Sequence, residues 1–303
     1  MSGVRLTIGI TSRDRPQALS RCLESLAAVS HLSPEVLVFD DGSATPIAKA
    51  MAERTFALPY RVIRDQRSPG YIAGRNQLVR EARGAHVLLL DDDAALLPND
   101  AVEQALAVMD RDPQVGAVAF AQATRDGSPW DAAMQPSRSR ETCVIPSYIG
   151  FAHLLRRELF AALGGYRESF VFYGEEKDFC LRLIERGYRT VYLPDALVVH
   201  EPDPAGRSKQ RYLRYVTRND CLHALYNEPL SRAVWMVPVR LVIYFRMRRT
   251  LNVSDRWGWV WVAREIAANA GAIVRDRRPV SRATVDHWKR LRHQPEPYEI
   301  GSR

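Results

Sequence analysis

Three consecutive carboxylates, Asp91-Asp92-Asp93, directly follow the apolar run His86-Val87-Leu88-Leu89-Leu90. Adjacent carboxylates at a strand end repel one another unless a cation or hydrogen-bond donors offset the charge. A hard divalent ion such as Mg2+ or Mn2+ suits them, because it takes oxygen ligands and shares them with substrate phosphates. A solvated acidic turn is the competing reading. Asp40-Asp41-Gly42-Ser43 closes a second apolar run, Val36 to Phe39, and also reads as an ordinary turn. A third cluster, Gly174-Glu175-Glu176-Lys177-Asp178, opens a stretch with helical apolar spacing at Phe179, Cys180, Leu183 and Ile184. There the carboxylates can serve proton transfer or complement a helix dipole. His200 follows Leu197-Val198-Val199 and, taken alone, reads as structural or as a ligand.

The elements that must carry these residues follow from periodicity. Val4, Leu6, Ile8 and Ile10 alternate as a first strand ending at Thr11-Ser12, and Pro16 opens a helix with Leu19, Cys22, Leu23 and Leu26 on one face. Buried strands at 36–39 and 86–90, a shorter one at 60–63 and helices at 72–82, 156–163 and 175–186 continue the alternation. Further strands are expected at 115–120, 188–193 and 197–199, with a long loop over 122–146. The pattern predicts an α/β fold: a doubly wound, mostly parallel sheet with a helical region after Pro204. In such sheets ligands bind beyond the carboxyl ends of the strands, where both aspartate clusters stand.

Taken together, Thr11-Ser12, Asp40-Asp41-Gly42-Ser43, Gly70-Tyr71-Ile72-Ala73-Gly74-Arg75-Asn76, Asp91-Asp92-Asp93, Gly164-Gly165-Tyr166, Gly174 to Asp178 and Val198-Val199-His200 occur in an order that resembles glycosyltransferase family 2. The resemblance spans residues 4–200 and includes a rhamnosyltransferase-like Glu-Glu-x-Asp-Phe-Cys-x-Arg stretch. It implies a GT-A fold and an inverting transfer from a nucleoside diphosphate sugar, UDP- or dTDP-linked, to an acceptor hydroxyl. The pathways implied build cell-surface polysaccharide, glycolipid or glycoconjugate.

By position, Thr11 and Asp41 would line the base and ribose, with Asp41 accepting from a pyrimidine imide, and Ser12, Arg13 and Asp40 would belong to the same donor-binding set. Arg75 would lie near the diphosphate and Asp92 near the ribose, with Gly70 and Asn76 also in the donor-binding set. Asp91 and Asp93 would form the DxD motif, with Asp93 the direct ligand of Mn2+ or Mg2+ and His200 completing the site. Glu176 takes the place of the catalytic base, with Glu175 and Asp178 beside it; many relatives carry Asp at the base position.

Composition narrows the alternatives. The 303 residues are 46% hydrophobic, enough for a full core. Four scattered cysteines (Cys22, Cys143, Cys180, Cys221) make no disulfide framework, and the N-terminus shows no secretory signal, so a cytoplasmic protein is expected. The net charge of +8 is unevenly divided: residues 1–204 carry 23 Lys+Arg against 27 Asp+Glu, residues 205–303 carry 20 against 8. A division into a catalytic domain, 1–204, and a basic helical region, 205–303, follows. No nucleic-acid module is recognisable, and no nucleic-acid partner is expected.

Residues 233–245 are apolar apart from Arg240 but too short to span a bilayer; Arg246, Arg248, Arg249 and Trp257, Trp259, Trp261 follow. Two readings stay open, peripheral attachment to an anionic inner membrane face and a helix packed on the catalytic domain. Other enzyme classes fit less well. A haloacid-dehalogenase-type phosphatase carries its Asp-x-Asp after the first strand. A sugar nucleotidyltransferase carries a glycine-rich loop where Thr11 to Pro16 stands. A non-catalytic nucleotide-binding scaffold at the membrane would not need the carboxylates at 175–178.

Overall fold

The computed structural model describes residues 3–202 and 208–299. In chain order the elements are β1 (Leu6–Ser12), α1 (Pro16–Ser25), β2 (Glu35–Asp40), α2 (Ile47–Ala50), β3 (Arg61–Arg64), α3 (Tyr71–Glu81), β4 (His86–Asp91) and β5 (Ala94–Leu96). Then come α4 (Ala101–Arg111), β6 (Val115–Ala123), β7 (Cys143–Ile145), β8 (Ala152–Arg156), α5 (Arg157–Ala162), α6 (Glu175–Glu185) and β9 (Arg189–His200). The C-terminal part holds α7 (Lys209–Asn227), α8 (Leu230–Thr250), α9 (Gly258–Ala268), α10 (Ala270–Asp276), α11 (Arg282–His293) and the short β10 (Glu296–Pro297).

The strands form one sheet in the order β10-β7-β9-β6-β8-β4-β1-β2-β3, with β5 paired to β9. The parallel half expected from the sequence is present: β4, β1, β2 and β3 are parallel neighbours, and β1, β2 and β4 are almost wholly buried while the edge strand β3 is half-exposed. Register places Thr11 beside Asp91 and Ser12 beside Asp40, so all three clusters at the strand ends open on one edge.

The other half departs from the sequence reading in three places. β8, absent from the expected elements, runs antiparallel between β4 and β6 and makes the sheet mixed. Its sequence, Ala-His-Leu-Leu-Arg, is short and carries two basic side chains, so no periodicity marks it. The two strands expected at 188–193 and 197–199 are one strand, β9; Pro194-Asp195 looks like a turn but lies at a register shift between Phe120 and Ala121 of β6, a bulge within the ladder. Residues 122–146 are not one loop, since β6 continues to Ala123 and β7 occupies Cys143–Ile145.

Two apolar layers flank the sheet, one under α1 and α4 and the other under α3, α5 and α6. The residues after 208 close on the second layer. Leu222 and Tyr226 of α7 enter it, α11 packs on α6, and β10 adds an edge strand to β7.

Candidate active site

The acidic edge is held together by two arginines in different settings. Arg15, just before α1, donates from Nη1 to Asp92 Oδ1 (2.5 Å) and from Nη2 to Asp93 Oδ2 (3.0 Å). Ser12 Oγ donates to the other Asp92 oxygen at 2.7 Å. Burial pushes the Asp92 carboxyl up to about 7, against the pull of Arg15 and Ser12, with the neighbouring Asp93 and Asp91 adding to the rise. The sequence reading singled out Ser12 but not Arg15, because a basic residue in a loop carries no spacing that ties it to a strand 76 positions later.

Arg75 is the second clamp. It is only 2% exposed. Its Nη2 donates to Asp91 Oδ1 (2.6 Å) and to the Gly150 carbonyl (2.7 Å), and its Nη1 to Glu175 Oε1 (2.9 Å). The Tyr71 ring lies 4.8 Å from its guanidinium. Burial works against this charge, but Asp91 and Glu175 outweigh it and hold the guanidinium well above its ordinary value. Arg75 therefore bridges the end of β4 to the start of α6.

Asn76, one residue on, points about 100° around the helix. Its amide is taken up by the 166–168 turn: Nδ2 donates to the Tyr166 carbonyl and Glu168, and Oδ1 accepts from the Tyr166 N–H. Asn76 pins this turn. Asp40 is likewise internal, accepting from the Ser43 and Ile47 N–H groups and pairing with Arg64, so it shapes the loop that presents Asp41. Asp41 accepts from the Gly70 N–H at 2.9 Å, which joins the loops after β2 and before α3; burial raises its carboxyl above its ordinary value. Thr11 is buried between β2 and β4 at the edge, and Arg13 is exposed on the rim with Asp14 3.6 Å away.

Gly174, with φ +89°, turns the chain into α6 and sets Glu175, Glu176 and Asp178 in its first turn. Their fates differ. Glu175 is fully buried on Arg75, with Tyr71 Oη donating at 3.3 Å. Burial and the charge of Glu176 push its carboxyl well up, and Arg75 only partly opposes this. Glu176 is half-buried and lies over the backbone of Gly150, where an added Cβ would stand 2.4 Å from Oε1. Burial raises it too, with Arg75 and a hydrogen bond from Glu175 pulling the other way. Asp178 belongs to a separate structural cluster: its oxygens receive Arg167 (2.7 Å), Arg182 (3.0 Å) and Asn227 (2.5 Å), and its carboxyl lies at about 2. That engagement separates it from the chemistry proposed for its two neighbours.

His200 ends β9 facing the acidic edge. Its ring stacks between Phe151 (4.8 Å) and Trp130 (5.5 Å), and Nδ1 donates to Gln122 Oε1 at 2.5 Å. Gln122 is oriented by its own Nε2 donating to the Met134 carbonyl. His200 Nε2 lies 3.7 Å from Asp93 Oδ1, a buried oxygen with no hydrogen-bond partner among the described residues. Among the described residues no three His, Cys, Asp or Glu converge as a preformed metal cage. The donor set nevertheless fits one hard ion, since Mg2+ and Mn2+ sites commonly use one or two protein carboxylates with phosphate oxygens and water supplying the rest. Gln122, Trp130 and Gly150 escaped the sequence reading, since all three lie in or beside segments without periodic signal.

The molecule resembles known sugar-transferring proteins in fold and sequence. S. aureus TarS 1-349 superposes with a TM-score of 0.62 at 16% identity, over 96% of this chain and 90% of that one. The mannosyltransferase PcManGT from Pyrobaculum calidifontis, in complex with GDP-Man and Mn2+, gives 0.58 at 18%, over 95% and 79%. Among curated relatives, an uncharacterized glycosyltransferase of Haemophilus influenzae is 26% identical over 62% of this chain and 64% of its own length. A pre-mycofactocin glycosyltransferase of Mycobacterium tuberculosis is 29% identical over 65% of this chain and 42% of its own. The chain thus spans less than two thirds of these two relatives. The model described as glycosyl transferase family group 2 matches residues 86–271, and that described as glycosyl transferase family 2 matches residues 7–164. With a GT-A type α/β sheet, both acidic strand ends and the α6 carboxylates in place, the chain belongs to glycosyl transferase family 2.

Proposed function

We propose that this glycosyltransferase uses a nucleoside diphosphate sugar, UDP- or dTDP-linked by preference, and transfers the sugar with inversion to an acceptor hydroxyl. The observation that carries the reading is the bridge from Asp91 through Arg75 to Glu175. Through one guanidinium it joins the strand end proposed for the diphosphate to the start of α6, where Glu176 is proposed as the base. The complexes of the structural neighbours with GDP-Man and Mn2+ and with UDP-GlcNAc support the donor class. Asp41 and Thr11 would receive the base and ribose, and Asp93 with His200 would hold Mn2+ or Mg2+.

When bound, the divalent ion supplies positive charge for the departing diphosphate. Glu176 takes the proton of the acceptor hydroxyl as its oxygen forms a bond to the anomeric carbon and the bond from that carbon to the diphosphate breaks. A single displacement needs no enzyme nucleophile and inverts the centre. Glu175 steadies Glu176, and Arg75 holds both ends of the cleft at fixed separation. The acceptor proposed is a glycan, a lipid-linked intermediate or a small molecule in cell-surface glycoconjugate assembly.

Calorimetry of UDP, dTDP and GDP with Mn2+, Mg2+ or EDTA tests the donor site. Binding is expected to need metal and to be lost in Asp93→Ala; equal affinity in EDTA, unchanged by that substitution, overturns the reading.

A further inference from the structure

α8 turns the wrong side to solvent for an ordinary packing helix. It lies against α7 through Ala233, Tyr244 and Arg240, the last paired with Asp220 at 3.1 Å. Its outward face carries Trp235, Val239 and Val242, spaced at four and three residues and therefore on one side of the helix, with Val234 and Phe245 along one flank of that row. Trp235 is 72% exposed and Val242 58%. Arg246 and Arg249 continue the same face toward the C-terminus, and exposed Arg256, Trp257 and Trp259 follow. A contiguous apolar face of this kind marks an interaction surface.

Charge selects the occupant. Between residues 229 and 264 there are seven arginines and one carboxylate, Asp255, which is buried on Arg214. Nothing in the stretch offers a partner for the outward arginines. A second copy placed face to face would bring arginine row against arginine row. An anionic bilayer answers both halves of the pattern, with acyl chains for the valines and Trp235 and lipid phosphates for Arg246 and Arg249. No helix among the described residues is long and apolar enough to cross a membrane, so α8 would lie in the plane of the interface.

We propose that the outward face of α8 is a docking surface for an anionic lipid bilayer. The inference uses none of the cleft residues and stands apart from the donor assignment.

The test is co-sedimentation of the whole chain with vesicles of phosphatidylcholine alone or mixed with phosphatidylglycerol, at low and high salt. Binding is expected only to the mixed vesicles, weakened by salt, roughly tenfold weaker or more in Arg246→Ala/Arg249→Ala, and abolished in Trp235→Glu/Val242→Glu. The second measurement needs no variant: brominated lipid should quench wild-type tryptophan fluorescence in mixed vesicles only. Equal binding to neutral vesicles overturns the charge argument. Absence of both sedimentation and quenching overturns the proposal, and light scattering that then shows a dimer broken by Trp235→Glu/Val242→Glu assigns the face to a second copy. Metal-dependent nucleotide binding by either double variant keeps a failure here separate from a failure of the donor site.

Discussion

Glu175 and Glu176 are neighbours in the chain and of one chemical type, yet the fold assigns them different surroundings. Glu175 is enclosed by Arg75 and Tyr71, while Glu176 reaches the cleft over a glycine. Glu176→Gln keeps shape but cannot take a proton; transfer should fall about 10²-fold or more with nucleotide affinity retained. Because burial raises Glu176, kcat/KM of the wild type should climb with pH along a limb centred above the ordinary glutamate value, and that limb should vanish in the Gln variant. Glu175→Gln, measured alongside, should keep the larger share of activity; the reverse order moves the base by one residue. Gly150→Ala places a carbon 2.4 Å from Glu176 Oε1 and 2.9 Å from Arg75 Nη1. Displacing a base by such an amount costs on the order of tenfold to a hundredfold in transfer, with nucleotide binding unaffected, so paired kinetics and calorimetry decide it.

At the scale of elements, Asp178 is what fastens α6 to the rest of the molecule. It gathers Arg167 from the turn before the helix, Arg182 one turn on, and Asn227 at the end of α7. Burial opposes its charge, and Arg182 and Arg167 overcome this and bring the carboxyl down to about 2. A depressed carboxylate contributes stability that is present above its unfolded value near 4 and is lost as pH falls toward 2. Asp178→Asn should cost about 3 kcal/mol at neutral pH, the scale for breaking a buried pair, and flatten the acid limb of the stability curve between those values. Urea titrations at several pH values measure both effects. Unchanged stability at pH 7 would mean that the arginines find other partners.

On the scale of the whole molecule, residues after 208 build part of the core. Trp288 of α11 packs with Leu181, Val280 and Val285, and its Nε1 donates to the Pro146 carbonyl at 3.0 Å. Five of the six tryptophans lie at 235–288, so their fluorescence follows the helical region while far-ultraviolet circular dichroism follows the whole chain. The two thermal transitions should coincide, as for one cooperative unit. Trp288→Ala should lower stability by about 3 kcal/mol without separating them. Two distinct melting steps in the wild type would instead favour a boundary near residue 205.

The strand alternation from Leu6 to Leu90, the carboxylates that end it and the helix behind Glu176 were legible without coordinates. Each is written in local periodicity or in a run of like charges, and a strand buried on both faces has few other ways to look. Three matters belonged to the tertiary structure. Arg15 and Arg75 acquire their partners across 77 and 100 positions of chain, so nothing near them signals which carboxylate each will hold. Asn76 and Asp178 lie in motifs shared with Arg75 and Glu176 but face other ways, because one helical step of about 100° separates Asn76 from Arg75 and two separate Asp178 from Glu176. And the apolar run in α8 could equally have been a buried face; only the packing of Arg240 and Tyr244 inward, on Asp220 and Asp255, leaves the valines and Trp235 outside. Periodicity tells that a helix has two faces, and the ion pairs of its neighbours decide which one is covered.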